Sequence, residues 1–281
     1  MVAIAELSEK HFRKTGRPLR IAVDEAGWRF HNISDNLVKT IREKVPAANP
    51  IEKAILWRLL RLMRINIQLI FVFDGPARPW KRGGVAGRID FTKTDLLRKM
   101  LGLLEIPHHR APAEAEAECA WLQQLGVVDA VWSDDSDSLM FGATTLITEY
   151  REAQQGRGKA KKDLHLVRVY RADAIKEGLG IDRHGIVLFA VLSGGDYNTK
   201  GPPGCGRKAA LQAAQFEDGI LGRMLCCCPL SLDAASFVHY CIARLLQPEA
   251  GRKNTSSAWI PTRSSREELS RTEAFINGSS S

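Results

Sequence analysis

The chain has 281 residues, of which 44% are hydrophobic, so it can bury a full core and is not a globally disordered protein. Its 40 Lys and Arg residues against 32 Asp and Glu residues give a net charge of +8. This charge suits a polyanion such as nucleic acid, although on charge alone a merely soluble basic protein is equally favoured. The sequence shows no secretory signal and no apolar run near the roughly 18 residues of a membrane span. We therefore expect a protein of the nucleus or cytoplasm that is neither secreted nor membrane-bound.

Helices and short apolar strands alternate along most of the chain. The strands read as continuous apolar runs, which predicts a mostly parallel sheet covered by helices on both faces. Ligands of such sheets bind beyond the carboxyl ends of the strands. In chain order we expect a helix at 3–14, a strand at 19–24, helical segments within 28–45, a helix at 51–65, a strand at 67–73, a helix at 92–104, a short strand at 106–109, a helix from about 112, and strands at 127–132, 145–150 and 164–170.

The helix predicted at 51–65 carries a stripe of arginines opposite its apolar face. Such a stripe is typical of a solvated face, and contact with DNA is the less favoured interpretation. The arginines are Arg58, Arg61 and Arg64.

Seven acidic residues fall at or just past the ends of apolar segments, where a parallel sheet brings chain ends together. So many carboxylates in one place repel one another, and divalent cations would neutralise them, which indicates metal-dependent phosphate chemistry. Taken singly, each acid has an ordinary explanation as a helix cap, a turn residue or a favourable charge at a helix start. The seven are Asp24, Asp74, Glu114, Glu116, Asp135, Asp137 and Asp196.

Two pairs of these acids have an informative spacing. Asp135 and Asp137 are expected at the end of an extended segment, where a spacing of two places both side chains on one face. Glu114 and Glu116 are expected where a helix begins, and at this spacing they share no helix face. A common target of the two glutamates must therefore lie beyond the helix end.

Basic and glycine-rich segments surround these acids. Gly75-Pro76 opens a basic loop that runs to about residue 90. The glycine-rich segment 201–208 precedes a helix-like run, so its backbone N–H groups can approach a phosphate, although a plain loop between helices is equally favoured.

Five blocks in order, between about residue 18 and about residue 215, carry a family resemblance. They read I-A-V-D at 21–24, F-V-F-D-G-P at 71–76, A-E-A-E-A-E-C-A at 113–120, S-D-D-S-D at 133–137 and L-S-G-G-D-Y at 192–197, the last leading into the glycine-rich segment. With these blocks the chain resembles the structure-specific 5′ nucleases of the flap-endonuclease and xeroderma-pigmentosum-G superfamily. It looks most like the Holliday-junction resolvase branch, particularly its fungal members.

The resemblance implies an α/β, PIN-like fold with a mostly parallel sheet flanked by helices and an appended helix–two-turn–helix element. The expected division is a catalytic core at 1–190, the DNA-binding element and following helices at 191–245, and a disordered tail at 246–281.

The resemblance also implies roles for the matched positions. The seven acids would hold two Mg²⁺ ions, directly or through water, with Mn²⁺ as a substitute. Lys81 and Arg88 would approach the scissile phosphate and, with Glu114 and Asp135, form the catalytic set. The glycine-rich loop would grip the duplex backbone with a bound K⁺. The implied DNA-binding residues are Lys81, Arg82, Arg88, Gly201, Gly204, Gly206, Arg207 and Lys208.

The expected function is therefore hydrolysis of phosphodiesters in branched or flapped double-stranded DNA during repair or recombination in the nucleus, with a homodimer forming on a four-way junction. Two alternatives remain open. One is a DNA-binding remnant with little or no catalysis. The other is a haloacid-dehalogenase-type phosphatase, because Asp135-Ser136-Asp137-Ser138 is similar to the nucleophile turn of that family.

Three departures from the family pattern bear on this expectation. The chain opens Met1-Val2-Ala3-Ile4 where relatives open with Met-Gly, which predicts either a truncated gene model or weakened activity. About twenty residues join Asp74 to the helix near Leu96, too few for the arch that threads a single strand, so an open site for branched duplexes is favoured. The chain ends soon after the helical element, and a further DNA-binding region is expected to be missing.

Overall fold

A computed structural model describes residues 1–78, 92–152, 161–194, 201–202 and 205–215. Within these residues the expected alternation of helices and strands is confirmed. No helix in this part of the chain is long and apolar enough to cross a membrane. In chain order the elements are β1 (Val2–Ala3), α1 (Ile4–Thr15), β2 (Leu19–Asp24), α2 (Glu25–His31), α3 (Asp35–Lys44), α4 (Pro50–Arg64), β3 (Ile67–Phe73), α5 (Thr92–Leu103), β4 (His108–Arg110), α6 (Ala115–Gln124), β5 (Ala130–Trp132), α7 (Asp137–Met140), β6 (Thr145–Glu152), β7 (Lys161–Arg171), α8 (Ala172–Leu179), α9 (Arg183–Ser193) and α10 (Arg207–Gln215).

The strands of the described residues form one seven-stranded sheet in the order β1-β7-β6-β5-β2-β3-β4. β2 pairs in parallel with β3 and β5, and the pairs β3–β4 and β5–β6 are also parallel. β7 pairs antiparallel with both β6 and β1. The predicted mostly parallel sheet is therefore confirmed, with an antiparallel edge. The carboxyl ends of β2, β3 and β5 lie side by side, which brings the residues after these strands to one edge of the sheet.

Helices cover both faces of this sheet. Along β2, Ile21 and Val23 belong to one buried cluster, and Ala22 between them belongs to a second. Because successive side chains of a strand point to opposite faces, the two clusters lie on opposite sides of the sheet. A strand that is buried on both sides reads as a continuous apolar run, which explains why the sequence pattern predicted it.

The predicted start of the helix that follows β4 is wrong. α6 begins at Ala115 and not near Pro112. The carbonyls of Pro112 and Ala113 accept hydrogen bonds from the N–H groups of Ala77 and Gly75, at 3.2 and 2.6 Å. The backbone here pairs with the loop after β3, so these residues cannot adopt the first turn of a helix.

The predicted start of β5 is also wrong, because the expected strand at 127–132 begins only at Ala130. The N–H groups of Val127 and Val128 donate to the carbonyl of Leu122, at 3.0 and 3.4 Å. These two residues therefore close the end of α6 and do not join the sheet.

One member of the arginine stripe contradicts the predicted solvated face. Arg58 is only 6% exposed, and its guanidinium carbon lies 3.7 Å from the ring centroid of Trp28 and 4.7 Å from that of Trp132. Its guanidinium forms an ion pair with the buried carboxylate of Glu149. Burial lowers the pKa of Arg58, and the nearby Glu149 carboxylate opposes this shift. Arg58 comes three residues after the buried Ile55, so helical periodicity places it on the core face of α4.

The expected domain division stays a prediction. The boundary placed at residue 190 falls within α9, which continues to Ser193. The segment 216–281, which includes the expected tail, lies outside the described residues.

Replacing Gly75 by alanine is expected to disrupt the loop after β3. A Cβ at Gly75 would lie 1.9 Å from the carbonyl oxygen of Ala111 and 2.5 Å from the carbonyl carbon of Pro112. Backbone atoms must shift to relieve these contacts, and overpacking of this kind costs roughly 1–3 kcal/mol. We expect a lower melting temperature in thermal denaturation. Gly102→Ala is the matched control, because nothing lies within 4 Å of a Cβ there, and equal melting temperatures of the two variants would contradict the prediction.

Candidate functional site

Acidic residues follow three neighbouring strands at the carboxyl edge of the sheet. Asp24 is the last residue of β2, Asp74 directly follows β3, and the turn 133–136 follows β5. This edge borders an open cleft of about 900 Å³, and its lining includes Asp24, Glu116 and Asp135. The parallel pairing of the strands thus brings side chains from distant parts of the sequence to one surface.

Three carboxylates form a tight group in this cleft. One carboxylate oxygen from each of Glu116, Asp135 and Asp137 lies within 4.8 Å of the other two. Glu114 is the N-cap of α6, and Glu116 lies in its first turn. Glu116 thus belongs to the group, and a common target of the two glutamates stays a prediction.

The extended geometry expected for Asp135 and Asp137 is wrong. β5 ends at Trp132, and Asp137 is the first residue of α7. The backbone N–H of Asp135 donates to the hydroxyl of Ser133 at 3.1 Å, and that of Asp137 donates to the Asp135 carboxylate at 3.1 Å. These side-chain hydrogen bonds close a turn. The turn, and not the expected extended strand, brings the two carboxylates together.

The side chain of Asp24 is buried, accepts two hydrogen bonds and lies near other acids. Its carboxylate accepts from the N–H of Ala26 at 3.1 Å and from the hydroxyl of Ser133 at 3.2 Å. Burial and the nearby carboxylate of Asp74 raise the pKa of Asp24 to about 7. Ser133 was not among the predicted site residues. Its signal in the sequence is a hydroxyl that directly follows an apolar strand and precedes the acidic turn.

Asp74 is held by the start of α6 and by an arginine. One carboxylate oxygen of Asp74 accepts from the N–H of Ala115 at 3.0 Å, and the other accepts from Arg78 at 2.8 Å. The Arg78 guanidinium also lies 4.0 Å from the carboxylate of Glu114. Arg78, which lines the cleft, was not predicted as a site residue. Its signal is a position four residues after Asp74, at the start of the basic loop.

The side chains gathered here fit a hard divalent cation. The grouped ligands are all carboxylates, which Mg²⁺ and Mn²⁺ prefer. The raised pKa of Asp24 reflects burial together with repulsion from Asp74, and a bound cation would offset both. The donor set therefore suits the metals expected from the sequence.

Several predicted site residues have no described position. These are Lys81, Arg82, Arg88, Asp196 and Gly204, which lie outside the described residues.

The glycine-rich loop is described in part. Gly201 has a φ of 55°, and a Cβ there would lie 2.5 Å from the carbonyl oxygen of Leu192, so glycine is required. Gly206, Arg207 and Lys208 are exposed at the start of α10. Their contact with DNA stays a prediction.

A family model described as the XPG I-region matches residues 105–196, a range that includes the glutamate pair and the acidic turn. Flap endonuclease GEN homolog 1 of Mus musculus is 32% identical over 219 residues, which cover 71% of this chain and 23% of the relative. Holliday junction resolvase YEN1 of Saccharomyces cerevisiae is 29% identical over 209 residues, which cover 57% of this chain and 27% of the relative. The chain thus spans about a quarter of the length of these two relatives.

The fold is also similar to solved structures. The Holliday junction-resolving enzyme GEN1, solved in complex with product DNA and a Mg²⁺ ion, is 33% identical with a TM-score of 0.63. The similarity covers 96% of this chain and 60% of that one. The sheet, the acids at its edge and these matches agree with the resemblance carried by the sequence blocks, and the chain belongs to the XPG/Rad2-like nuclease superfamily.

Proposed function

We propose that this chain is the catalytic part of a Mg²⁺-dependent endonuclease that hydrolyses phosphodiesters in branched DNA. The observation that carries the proposal is the group formed by Glu116, Asp135 and Asp137 in an open cleft at the sheet edge. The names of the relatives, a flap endonuclease and a Holliday junction resolvase, support this reaction. The GEN1 structure with product DNA and Mg²⁺ supports the choice of metal and substrate.

We propose two metal ions, with Mn²⁺ able to replace Mg²⁺. When bound, the ions activate a water molecule and stabilise the charge that develops on the phosphate. The residues that would hold them, directly or through water, are Asp24, Asp74, Glu114, Glu116, Asp135, Asp137 and Asp196.

The chain's own residues prepare this site. The hydroxyl of Ser133 links the Asp24 carboxylate to the backbone of Asp135, so it fixes two strand ends relative to each other. Arg78 orients Asp74 and balances part of the negative charge. Lys81 and Arg88 would add positive charge around the phosphate in the transition state, as the resemblance implies.

The substrate is proposed to be branched or flapped duplex DNA, recognised through phosphates and shape. Fewer than twenty residues join Asp74 to Thr92, which favours an open site over one that threads a single strand. By the resemblance, a K⁺ ion binds at the glycine-rich loop, two copies of the protein meet on a four-way junction, and the protein acts in the nucleus. The phosphatase alternative is disfavoured because it leaves unexplained Asp24 and Asp74, at the ends of two strands that precede β5.

The direct test is cleavage of labelled 5′-flap, replication-fork and four-way-junction DNA in Mg²⁺, beside an Asp135→Asn control. We expect the protein to cut at least one branched substrate, to leave linear duplex intact, and to leave products with a 5′-phosphate and a 3′-hydroxyl. Asp135→Asn should bind the same DNA without cutting it, because only one carboxylate charge is removed.

The outcomes separate the open alternatives. Binding without cutting by the unaltered protein in both Mg²⁺ and Mn²⁺ would overturn the proposal in favour of a DNA-binding remnant. Cutting of flaps alone would keep the endonuclease and exclude the junction as its substrate. Inhibition of phosphate-ester hydrolysis by beryllium fluoride would instead support covalent aspartyl chemistry.

A further inference from the structure

The cleft that contains the acids continues onto one face of the β6–β7 pair. Leu146 and Thr148 of β6 are the register partners of Tyr170 and Arg168 of β7. Residues two apart on a strand share a face, so the side chains of Arg168 and Tyr170 point to the same side of the sheet. All four residues line the same cleft as Asp135. The acids therefore occupy only one end of this cleft.

The other end has the chemistry of a nucleotide site. Tyr170 is 41% exposed, an unusual state for a large aromatic side chain inside a cleft. Leu139 and Leu146 give this end an apolar floor. The guanidinium of Arg168 lies over the ring of Tyr150, 5.4 Å from its centroid, which restrains its direction. An exposed ring beside an apolar floor stacks bases, and an adjacent guanidinium binds phosphate.

The spacing between the two ends matches a few nucleotides. Tyr170 lies opposite Leu146, and three residues further along β6 the N–H of Glu149 donates to the Asp134 carboxylate at 3.3 Å. At ~3.3 Å per strand residue and ~4.8 Å between neighbouring strands, Tyr170 on β7 lies about 14 Å from the acidic turn that follows β5. This is about four steps of a DNA strand at ~3.4 Å each.

We propose that Tyr170 and Arg168 form a subsite for an unpaired nucleotide of the strand being cut, within about four positions of the scissile phosphate. Tyr170 stacks on the base, and Arg168 binds the adjoining phosphate. The base must be unpaired, because the face of a base inside a duplex is covered by its neighbours. The inference rests on the proposed function, since it assumes that the DNA strand lies across the acids.

The first test measures binding without cutting. The probe is branched DNA with 2-aminopurine at each of the four positions on either side of the cut, with Ca²⁺ in place of Mg²⁺. We expect fluorescence quenching at one of these positions with the unaltered protein and with Tyr170→Phe, which keeps the ring. Tyr170→Leu should lose the quenching and bind about ten-fold more weakly. Trp121→Leu is the matched control, because Trp121 is another exposed aromatic, on α6, that does not line the cleft.

The second test pairs the protein change with a DNA change. An abasic nucleotide at the quenched position should weaken binding by the unaltered protein by the same factor as Tyr170→Leu does. The two changes together should lower the affinity little more than either change alone. Arg168→Gln should weaken binding. It should also reduce the slope of log affinity against log salt concentration by the amount that about one phosphate contact contributes. Arg171→Gln, on the same strand, should leave this slope unchanged.

The results distinguish a failure of the proposed subsite from a failure of the proposed function. Unchanged quenching in Tyr170→Leu, or fully additive losses with the abasic DNA, would overturn the subsite even if the protein cuts branched DNA normally. If the unaltered protein cuts no DNA while quenching still depends on Tyr170, the proposed function fails and the subsite is supported as part of a binding protein.

Discussion

Replacing Arg58 by methionine is expected to lower the free energy of unfolding by about 3–5 kcal/mol. Arg58 and Glu149 are both buried and form an ion pair, and the Arg58 guanidinium stacks against Trp28 and Trp132. Methionine keeps most of the side-chain volume but leaves the Glu149 carboxylate buried without its Arg58 counter-charge. The penalty for burying that charge, and not the loss of packing, should dominate the effect.

The double variant Arg58→Met/Glu149→Leu should recover most of this loss, because a buried ion pair is often replaceable by apolar side chains of similar size. Urea denaturation followed by far-ultraviolet circular dichroism measures both effects. Arg64→Met is the matched control, since Arg64 is exposed on the same helix and should change stability by no more than about 0.5 kcal/mol. A double variant as unstable as Arg58→Met alone would show that shape, and not charge, is what the site requires.

Replacing Glu116 by glutamine is expected to reduce Mg²⁺-dependent cutting by at least about 10²-fold. Loss of a residue that only supports a metal ligand costs roughly 10–100-fold, and Glu116 belongs to the carboxylates that would hold the metal themselves. Without metal, the variant should be as stable as the unaltered protein or slightly more so, because one of several repelling carboxylates has been removed.

The metal dependence of the melting temperature tests this prediction without reference to activity. A ligand that binds only the folded state stabilises it by about 2.7 kcal/mol at a concentration of 100 times Kd. The unaltered protein and Glu177→Gln, which removes an exposed glutamate of α8, should show equal upward shifts with Mg²⁺. Glu116→Gln should show little shift. Equal shifts in all three proteins would place the metal site elsewhere.

The positions of the acids follow largely from local sequence pattern. A continuous apolar run predicts a strand buried on both faces, and parallel strands end at one edge, so Asp24 and Asp74 were expected near each other. The turn from Ser133 to Asp137 was only the alternative to the expected extended segment, because side-chain hydrogen bonds to the backbone compete with an extended strand and leave no periodic signal.

Helical periodicity places Arg58 on the core face of α4, but the partners that receive its charge were beyond local pattern. A charged residue in an amphipathic helix is ordinarily solvated, and only a partner far along the chain changes that expectation. Glu149 is 91 residues away from Arg58 in the sequence, on strand β6. The aromatic rings that receive the guanidinium come from two further elements, so no single stretch of sequence contains the signal.

The backbone contact at Gly75 has a mechanical consequence. The N–H groups of Gly75 and Ala77 donate to the carbonyls of Ala113 and Pro112, which directly precede Glu114. The segment after β3 is thus hydrogen-bonded to the segment that directly precedes Glu114. A displacement of one segment would therefore strain these two hydrogen bonds, of 2.6 and 3.2 Å, and through them the other segment.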